Sequence, residues 1–528
     1  MVRLIKNPII KGFNPDPSII RVDNDYYIAT STFEWFPGVQ IHHSKDLVHW
    51  RLLTHPITRT SQLDLRGNPS SGGVWAPNLT YKDGIFYLIY SDVKNRTGVY
   101  KDVHNYLITA ENIMGPWSEP IYLNSSGFDP AFIHDDDGKT YLLNMLWNFR
   151  KDHPNFDGIL LQEYDHNQQK LVGPIKKIIE GLPNWVREGS NLYKIGDYYY
   201  IVLAEGGTGY LHSATIGRSK HIEGPYEMDP QTPLLSATHE PDHPLQKAGH
   251  GSLIETQNGE WYIAYLCARP LPSKLCPLGR EIAIEKCYWT DDNWLRLEGD
   301  DILPNVEVER PNLPLHPFEE PPAKDDFDND TLNIHFSTLR VPSSESWLSL
   351  KERPGYLRVS GRESLTSLNN QSMVARRIQD YYCDVETCIE FEPENFMQMA
   401  GLICYYDERD HFYLRISYHE KLGKNISIMT MDNGHYDELT EDVVSIEGWE
   451  RCYLKVSIRY ETFEFYYSQD GETWHQIGPA FSLGNLSDEY EGKLGFTGAF
   501  AGMCVQDLSG QKKHADFDYF TYHVVDSE

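Results

Sequence analysis

The sequence predicts an all-β protein built from two domains, a five-bladed β-propeller followed by a β-sandwich. A hairpin pattern recurs about every sixty residues through the first three hundred residues. A proline-rich stretch then separates this repeat from alternating strands that lack it. The length of 528 residues also exceeds what a single hydrophobic core usually holds.

Each repeat consists of a short apolar strand, a tight turn and an aromatic strand. Turns such as Asp83-Gly84 supply the positive φ that a hairpin requires. One hairpin uses roughly 20 residues, so each period has room for about four short strands. Five such units make a five-bladed propeller. The apolar strands are centred on Ile19, Leu79, Phe132, Leu192 and Leu253.

An acidic motif precedes two of the repeats, as Asn14-Pro15-Asp16-Pro17 and Phe128-Asp129-Pro130. Proline restricts φ, so each aspartate follows a rigid, extended backbone. The innermost strands of a propeller face its axis, and we therefore expect the residues that head them to meet at one mouth. Glu188 lies one residue ahead of the strict register, an offset that a β-bulge would absorb. The heading residues are Asp16, Trp75, Asn78, Asp129, Glu188 and His250.

Three carboxylates that converge on one point indicate acid–base chemistry. Like charges a few ångströms apart raise at least one pKa, which keeps one carboxyl neutral near pH 7. A neutral carboxyl that faces an ionised one across a cleft is the arrangement that glycoside hydrolysis needs.

The composition of the chain limits the kinds of molecule that it is expected to bind. The net charge of −30 disfavours nucleic acids and anionic membranes and favours a neutral substrate. The start of the chain does not read as a secretory signal and no run is apolar enough to span a membrane, so we expect a cytoplasmic protein. Eight cysteines without a Cys-x-x-Cys pair are expected to be reduced and mostly buried.

Residues 1 to about 310 resemble glycoside hydrolase family 43, and the resemblance extends over essentially the whole chain. It implies that Asp16 is the general base, that Glu188 is the general acid, and that Asp129 orients Glu188 and keeps its pKa raised. The family inverts anomeric configuration, which predicts a base–acid separation of roughly 6.5–9.5 Å. The motifs that carry the resemblance are Asn14-Pro15-Asp16-Pro17, Ser31–Val39, Phe128-Asp129-Pro130, Arg187-Glu188-Gly189, His250-Gly251-Ser252 and Leu278-Gly279-Arg280-Glu281.

Other residues are candidates for binding the sugar. Phe33, Trp75 and Trp147 are expected to form the pocket wall and stack on the sugar, although each aromatic would fit equally well in a blade core. Arg280 is expected to reach sugar hydroxyls, with a surface ion pair as the alternative. His250 on the axis would hold a central water or cation, or bind a carboxylate.

We predict a propeller over residues 1–310, a proline-rich linker over 311–325 and a sandwich over 326–528. The sandwich resembles the lectin-like, concanavalin A-like domain of family 43 β-xylosidases. That resemblance implies that the loop 497–502 covers the active-site mouth and that Phe500 closes one side of the pocket, although an ordinary loop with a buried phenylalanine remains the alternative. A structural calcium ion is predicted at Asp326, Asp328, Asp516 and Asp518, and the chemistry itself needs no cofactor.

The resemblance implies an exo-acting β-xylosidase that releases xylose from the non-reducing ends of β-1,4-xylooligosaccharides, acting as a dimer or tetramer. One alternative is α-L-arabinofuranosidase activity, alone or in addition. A second is a non-catalytic carbohydrate-binding protein, although such a protein would usually have lost one of the three carboxylates. Fructan-cleaving propellers usually carry a cysteine after the acid, whereas Gly189 follows Glu188 here.

Overall fold

A computed structural model describes residues 4–299 and 301–526, so the predicted outer domain limits at residues 1 and 528 lie outside the described residues. The predicted fold class is confirmed, because five separate sheets of about four strands precede two large sheets. Across the described ranges, no helix combines the length and the apolar character needed to cross a membrane.

The five blades are formed by consecutive antiparallel strands. Blade 1 contains Ser18–Val22, Asp25–Thr30, Gln40–Ser44 and Arg51–Thr54. Blade 2 contains Gly73–Lys82, Ile85–Asn95, Asp102–Ala110 and Ile121–Asn124. Blade 3 contains Ala131–His134, Thr140–Trp147, Phe156–Asp165 and Lys170–Glu180. Blade 4 contains Arg187–Ile195, Tyr198–Glu205, Ser213–Ser219, Glu227–Met228 and Leu235–Ser236. Blade 5 contains Gln246–Glu255, Trp261–Ala268, Glu281–Trp289 and Leu295–Leu297.

Polar side chains join the inner strands of neighbouring blades around the axis. A side chain of one inner strand accepts a hydrogen bond from a backbone N–H of the next, which satisfies groups that the sheets leave unpaired. The ring is therefore held by directional bonds close to the channel as well as by apolar packing between blades. These bonds are Ile19 N to Ser252 Oγ, Leu79 N to Ser18 Oγ, Phe132 N to Asn78 Oδ1 and Leu253 N to Tyr193 OH.

Two sheets form the sandwich. The first contains Lys324–Asp325, Leu348–Ser349, Leu357–Ser360, Tyr382–Glu390, Cys452–Arg459, Thr462–Ser468, His475–Ser482 and His514–Val524. The second contains Ser337–Leu339, Ser372–Arg377, Gln398–Asp407, Asp410–His419, Gly423–Asp432, His435–Glu438, Val444–Ser445 and Phe500–Asp507. Short 3₁₀ helices span Thr440–Asp442, Leu483–Leu486 and Tyr490–Gly492.

A short strand from the propeller domain forms part of a sandwich sheet. The strand Trp35–Phe36, which belongs to a loop of blade 1, pairs with Ser337–Leu339 and extends the second sandwich sheet. Leu4–Lys6 pairs with Glu307–Glu309, and residues 310–323 carry no strand or helix. The sandwich is thus fixed against the part of blade 1 that follows Asp16.

Candidate active site

Each of the five inner strands places a residue with left-handed backbone at the same mouth of the channel. A side chain other than glycine pays a steric cost in this conformation, so a ring of such residues marks a functional site. The register of blade 4 shifts between Glu188 and Asn191, which confirms the predicted bulge. The five residues are Asp16 (φ 59°), Ala76 (φ 28°), Asp129 (φ 54°), Gly189 (φ 59°) and His250 (φ 51°).

A cavity of about 560 Å³ opens at this mouth. Its volume lies within the range of roughly 300–1,000 Å³ that is usual for small-molecule sites. All but one of the residues predicted to act in the site line it, and Phe500 is the exception. The predicted residues in the wall are Asp16, Phe33, Trp75, Asp129, Trp147, Glu188, His250 and Arg280.

Asp16 is buried and held in its ionised form. Ser31 Oγ donates a hydrogen bond to Oδ2 at 2.6 Å, and Arg280 Nη1 donates to Oδ1 at 2.9 Å. Burial raises the pKa of Asp16, but the charge of Arg280, together with the Ser31 hydrogen bond, outweighs that effect. The pKa therefore falls below its usual value, and Asp16 is an acceptor for a proton near neutral pH.

Asp129 and Glu188 are shifted in the opposite direction. Burial and the nearby charge of Asp16 raise the pKa of Asp129 to about 7, although Gly189 N donates to its Oδ2 at 2.9 Å. Burial, followed by the charges of Asp129 and Asp16, raises the pKa of Glu188 well above its usual value. The cavity thus pairs an ionised carboxylate with a carboxyl that keeps its proton, the combination that acid–base catalysis requires.

Arg280 connects the base to both domains. Its Nη1 also donates to Thr208 Oγ1 at 3.1 Å, and its Nη2 donates to the backbone oxygen of Phe496 at 3.0 Å. The predicted role of Arg280 in contacting sugar hydroxyls stays a prediction, but its surface alternative does not apply because the side chain is buried. Sequence reasoning missed Thr208, although its glycine-rich surroundings at 206–209 indicate a close approach of backbone to a ligand.

The two histidines beside the base are neutral. His250 Nδ1 lies 3.8 Å from Asp16 Oδ1, and burial lowers the pKa of its ring. Burial lowers the pKa of His212 to about 3, and its Nδ1 lies 2.9 Å from the backbone oxygen of Lys247. The carboxylate of Asp16 is therefore neutralised by Arg280 rather than by an imidazolium.

The predicted aromatic walls are fixed by hydrogen bonds of their indoles. Trp75 Nε1 donates to Ser71 O, and Trp147 Nε1 donates to Val99 O, both at 3.0 Å. Lys101 Nζ lies over the Trp147 ring, 4.4 Å from its centroid. Both indoles line the cavity, and aromatic rings of this kind suit contact with the apolar face of a pyranose.

The expectation for Phe500 is wrong. Its ring is fully buried, stacks on Trp35 with centroids 3.8 Å apart, and is not among the residues that line the cavity. Two sandwich residues line the cavity, Leu494 and Phe496, and sequence reasoning missed both. Their segment is held from both sides, because Arg280 bonds to Phe496 O and Arg96 Nη1 donates to Leu494 O at 2.8 Å.

Ser71 is a further residue that the sequence did not indicate, and its hydrogen bonds fix both Trp75 and the Phe496 segment. Its backbone oxygen accepts the Trp75 indole bond, and its Oγ accepts a hydrogen bond from Phe496 N at 3.0 Å. Its own N–H donates to Glu34 Oε2 at 2.9 Å. Burial raises the pKa of Glu34 to about 7, despite the nearby charge of Arg340. Left-handed backbone at Ser71 (φ 61°) is consistent with a strained, functional turn.

Three of the four aspartates predicted to bind calcium lie close to basic side chains. Asp516 accepts hydrogen bonds from Arg353 and Arg358, and Asp326 forms an ion pair with Lys324. Asp518 Oδ2 lies 3.6 Å from Arg451 Nη1. Over residues 4–299 and 301–526, no group of three or more His, Cys, Asp or Glu side chains is arranged to hold a metal ion.

Comparison with known proteins identifies the class to which this fold and site belong. Residues 5–295 match the family described as Glycosyl hydrolases family 43, and residues 324–523 match the Beta xylosidase C-terminal Concanavalin A-like domain. The chain belongs to glycosyl hydrolase family 43, and it is an enzyme of the two-domain type that carries this C-terminal domain.

Relatives align over the whole length. A protein from Bacillus subtilis described as a beta-xylosidase is 50% identical over 98% of this chain and 99% of its own. A Vibrio protein described as a xylan 1,3-beta-xylosidase is 48% identical over 99% of both chains. The crystal structure of a xylan beta-1,4-xylosidase from Bacillus halodurans is 56% identical, with a TM-score of 0.97 over 98% of this chain and all of that one.

Proposed function

We propose that this protein is an exo-acting, inverting β-xylosidase that releases xylose from the non-reducing ends of short β-1,4-linked xylooligosaccharides. The observation that carries the proposal is the pairing, in one cavity, of a carboxylate whose pKa is lowered with a carboxyl whose pKa is raised. The names of the full-length relatives support the sugar, and the family supports the reaction.

The proposed chemistry uses the two protonation states directly. Asp16 takes a proton from a water molecule as that water attacks the anomeric carbon, and Glu188 donates its proton to the departing glycosidic oxygen. A water must fit between the base and the sugar, which requires the two carboxyls to stand roughly 6.5–9.5 Å apart. Attack from the face opposite the leaving group inverts the anomeric configuration.

Asp129 and Arg280 act on these two groups rather than on the bond that breaks. Asp129 binds the N–H of Gly189 next to the acid, and its charge contributes to the raised pKa of Glu188. Arg280 keeps Asp16 ionised and fixes its carboxylate from the side opposite Ser31 Oγ. Both are positioning residues in this proposal.

Exo action follows from how the sandwich closes one side of the cavity. The segment that carries Leu494 and Phe496 is bonded to Arg96 on one flank and to Arg280 on the other. A chain that ran through the site would have to displace these bonds and the Phe496 ring. A chain end, with one terminal sugar in the cavity and the remainder outside, meets no such obstacle.

The test compares purified wild-type enzyme with Asp16→Asn. We expect wild-type enzyme to release xylose from β-1,4-xylobiose, and Asp16→Asn to lose nearly all turnover while its thermal unfolding is unchanged. Retained turnover in a folded Asp16→Asn variant would reject the assignment of the base.

Parallel assays on different substrates determine which linkage and which sugar the enzyme prefers. The Vibrio relative acts by its description on a 1,3 linkage, so β-1,3-xylobiose is assayed beside β-1,4-xylobiose, and we expect faster cleavage of the 1,4 linkage. The p-nitrophenyl β-xyloside and α-L-arabinofuranoside measure the alternative activity. A higher kcat/KM on the arabinofuranoside would replace the proposed primary substrate.

A further inference from the structure

An exposed aromatic pair lies beside the cavity and is not explained by the site described above. We call residues Val99, Tyr100 and Phe149 the outer rim. Their side chains are 56%, 67% and 52% exposed, and the rings of Tyr100 and Phe149 meet edge to face with centroids 5.1 Å apart. Exposed apolar groups are ordinary when scattered, but a contiguous patch next to a functional cavity marks a binding surface.

The outer rim continues the wall of the cavity. Trp147, which lines the cavity, donates its indole N–H to Val99 O at 3.0 Å, and Phe149 follows it by two positions. Tyr100 directly precedes Lys101, another residue of the cavity wall. A ligand that leaves the cavity along Trp147 therefore passes the outer rim.

The backbone of the outer rim is held in place before any ligand binds. Asn95 Nδ2 donates to Tyr100 O at 3.3 Å. Next to Phe149, the buried Asn148 donates its side-chain N–H to Asp157 Oδ2 at 2.6 Å, and Asn155 Nδ2 donates to Asn148 O at 2.9 Å. Exposed rings on a fixed backbone lose little conformational entropy when they bind a ligand, which favours recognition.

We propose that the outer rim binds the third and later sugars of a bound xylooligosaccharide, so that the enzyme favours chains longer than xylobiose. The inference rests on the proposed function, which places one sugar in the cavity and directs the rest of the chain outward. Flat, uncharged rings suit the apolar face of a neutral pyranose. The rival occupant, a second copy of this chain, would bury the same rings.

The experiment measures kcat/KM for β-1,4-linked xylobiose, xylotriose and xylotetraose. Enzymes compared are the wild type, Tyr100→Ala, Phe149→Ala and the double variant. We expect the wild type to prefer xylotetraose to xylobiose, and the double variant to lose about three- to tenfold of that preference, as follows from removing aromatic contacts. Activity on xylobiose and on the p-nitrophenyl xyloside, which end before the outer rim, should stay unchanged.

Two control variants isolate the rings. Tyr100→Phe keeps a ring and should keep the preference for the longer chain. Phe396→Ala removes a phenylalanine that is 60% exposed on the sandwich and should leave every ratio unchanged.

Three results would overturn the inference while leaving the proposed function intact. The first is an equal kcat/KM for all three oligomers in the wild type, and the second is an equal loss of kcat/KM on all substrates in the variants. The third is a change of solution mass by light scattering in the double variant, which would assign the outer rim to a subunit interface. Failure of wild-type enzyme to cleave any xyloside would instead reject the proposed function, and the inference with it.

Discussion

Replacing Arg280 by glutamine should move the acidic side of the pH–activity profile to higher pH. The guanidinium is the main group that lowers the pKa of Asp16, against the opposing effect of burial. Without it the base gains its proton at a higher pH, and the fraction of enzyme with an ionised Asp16 falls across the acidic range. The acidic limb of the kcat/KM profile is therefore expected to move to higher pH.

The size of the shift follows from the contact distance. Arg280 Nη1 and Asp16 Oδ1 are 2.9 Å apart, and two unit charges at that separation interact by about 6 kcal/mol at an effective dielectric constant of about 20. Water that enters the space left by the Arg280 side chain solvates the Asp16 carboxylate and replaces part of this interaction energy. We expect a rise of about 1–3 pH units, the range by which an adjacent arginine lowers the pKa of an aspartate.

The measurement is kcat/KM against pH on p-nitrophenyl β-xyloside, because this profile reports the groups of the free enzyme. Thr208→Ala is the matched control, since it removes the other partner of Arg280 Nη1 and leaves the guanidinium in place. Its acidic limb should lie close to that of the wild type. An unmoved limb in Arg280→Gln, with activity still measurable, would refute the claim that Arg280 keeps Asp16 ionised.

Three further predictions concern the acid and the pocket wall. Glu188→Gln should abolish cleavage of xylobiose but spare more activity on p-nitrophenyl xyloside, because a good leaving group needs less protonation; equal losses in steady-state assays would argue against its role as the acid. Asp129→Asn should shift the alkaline limb of kcat/KM to lower pH, since the negative charge of Asp129 raises the pKa of Glu188, and a shift to higher pH would contradict this. Phe496→Ala should raise KM for xylobiose about tenfold through loss of an aromatic wall, whereas the buried Phe500→Ala should cost about 3–5 kcal/mol of unfolding free energy in denaturant titrations. The opposite assignment of these two effects would refute the correction from Phe500 to Phe496.

The propeller was predictable because its signal is local and repeated. Turn residues such as Asp83-Gly84 and Asn258-Gly259 mark the hairpins, and an acidic proline motif heads two of the inner strands. The convergence of Asp16, Asp129 and Glu188 followed from the geometry of the repeat alone. Even the offset at Glu188 was readable, because Gly189 occupies the left-handed position that Asp16 and Asp129 occupy in their blades.

The contribution of the sandwich was not predictable at the level of single residues. Phe496 and Phe500 are four positions apart, and which of them faces the cavity depends on contacts with distant segments. Ala499 N donates to Pro277 O at 2.8 Å, while Ser71 Oγ holds Phe496 N. Neither partner is marked in the sequence as a neighbour of this loop.

The pairing of the aspartates in the predicted calcium site was not predictable for a related reason. Acidic residues near one another in a fold are as easily paired with arginine as with a cation. Asp516 is bound by both Arg353 and Arg358, which lie more than 150 positions earlier in the chain. Pairing across such a distance is set by the sheet, in which Leu357–Ser360 lies against His514–Val524.

The most direct test of the two-carboxyl site is the anomer of xylose that first appears when wild-type enzyme cleaves β-1,4-xylobiose, followed by proton NMR before mutarotation. An ionised base and a protonated acid on opposite faces of the sugar, with water between base and sugar, predict α-xylose first. Initial release of β-xylose would contradict that arrangement, because it requires a carboxylate close enough to attack the sugar itself.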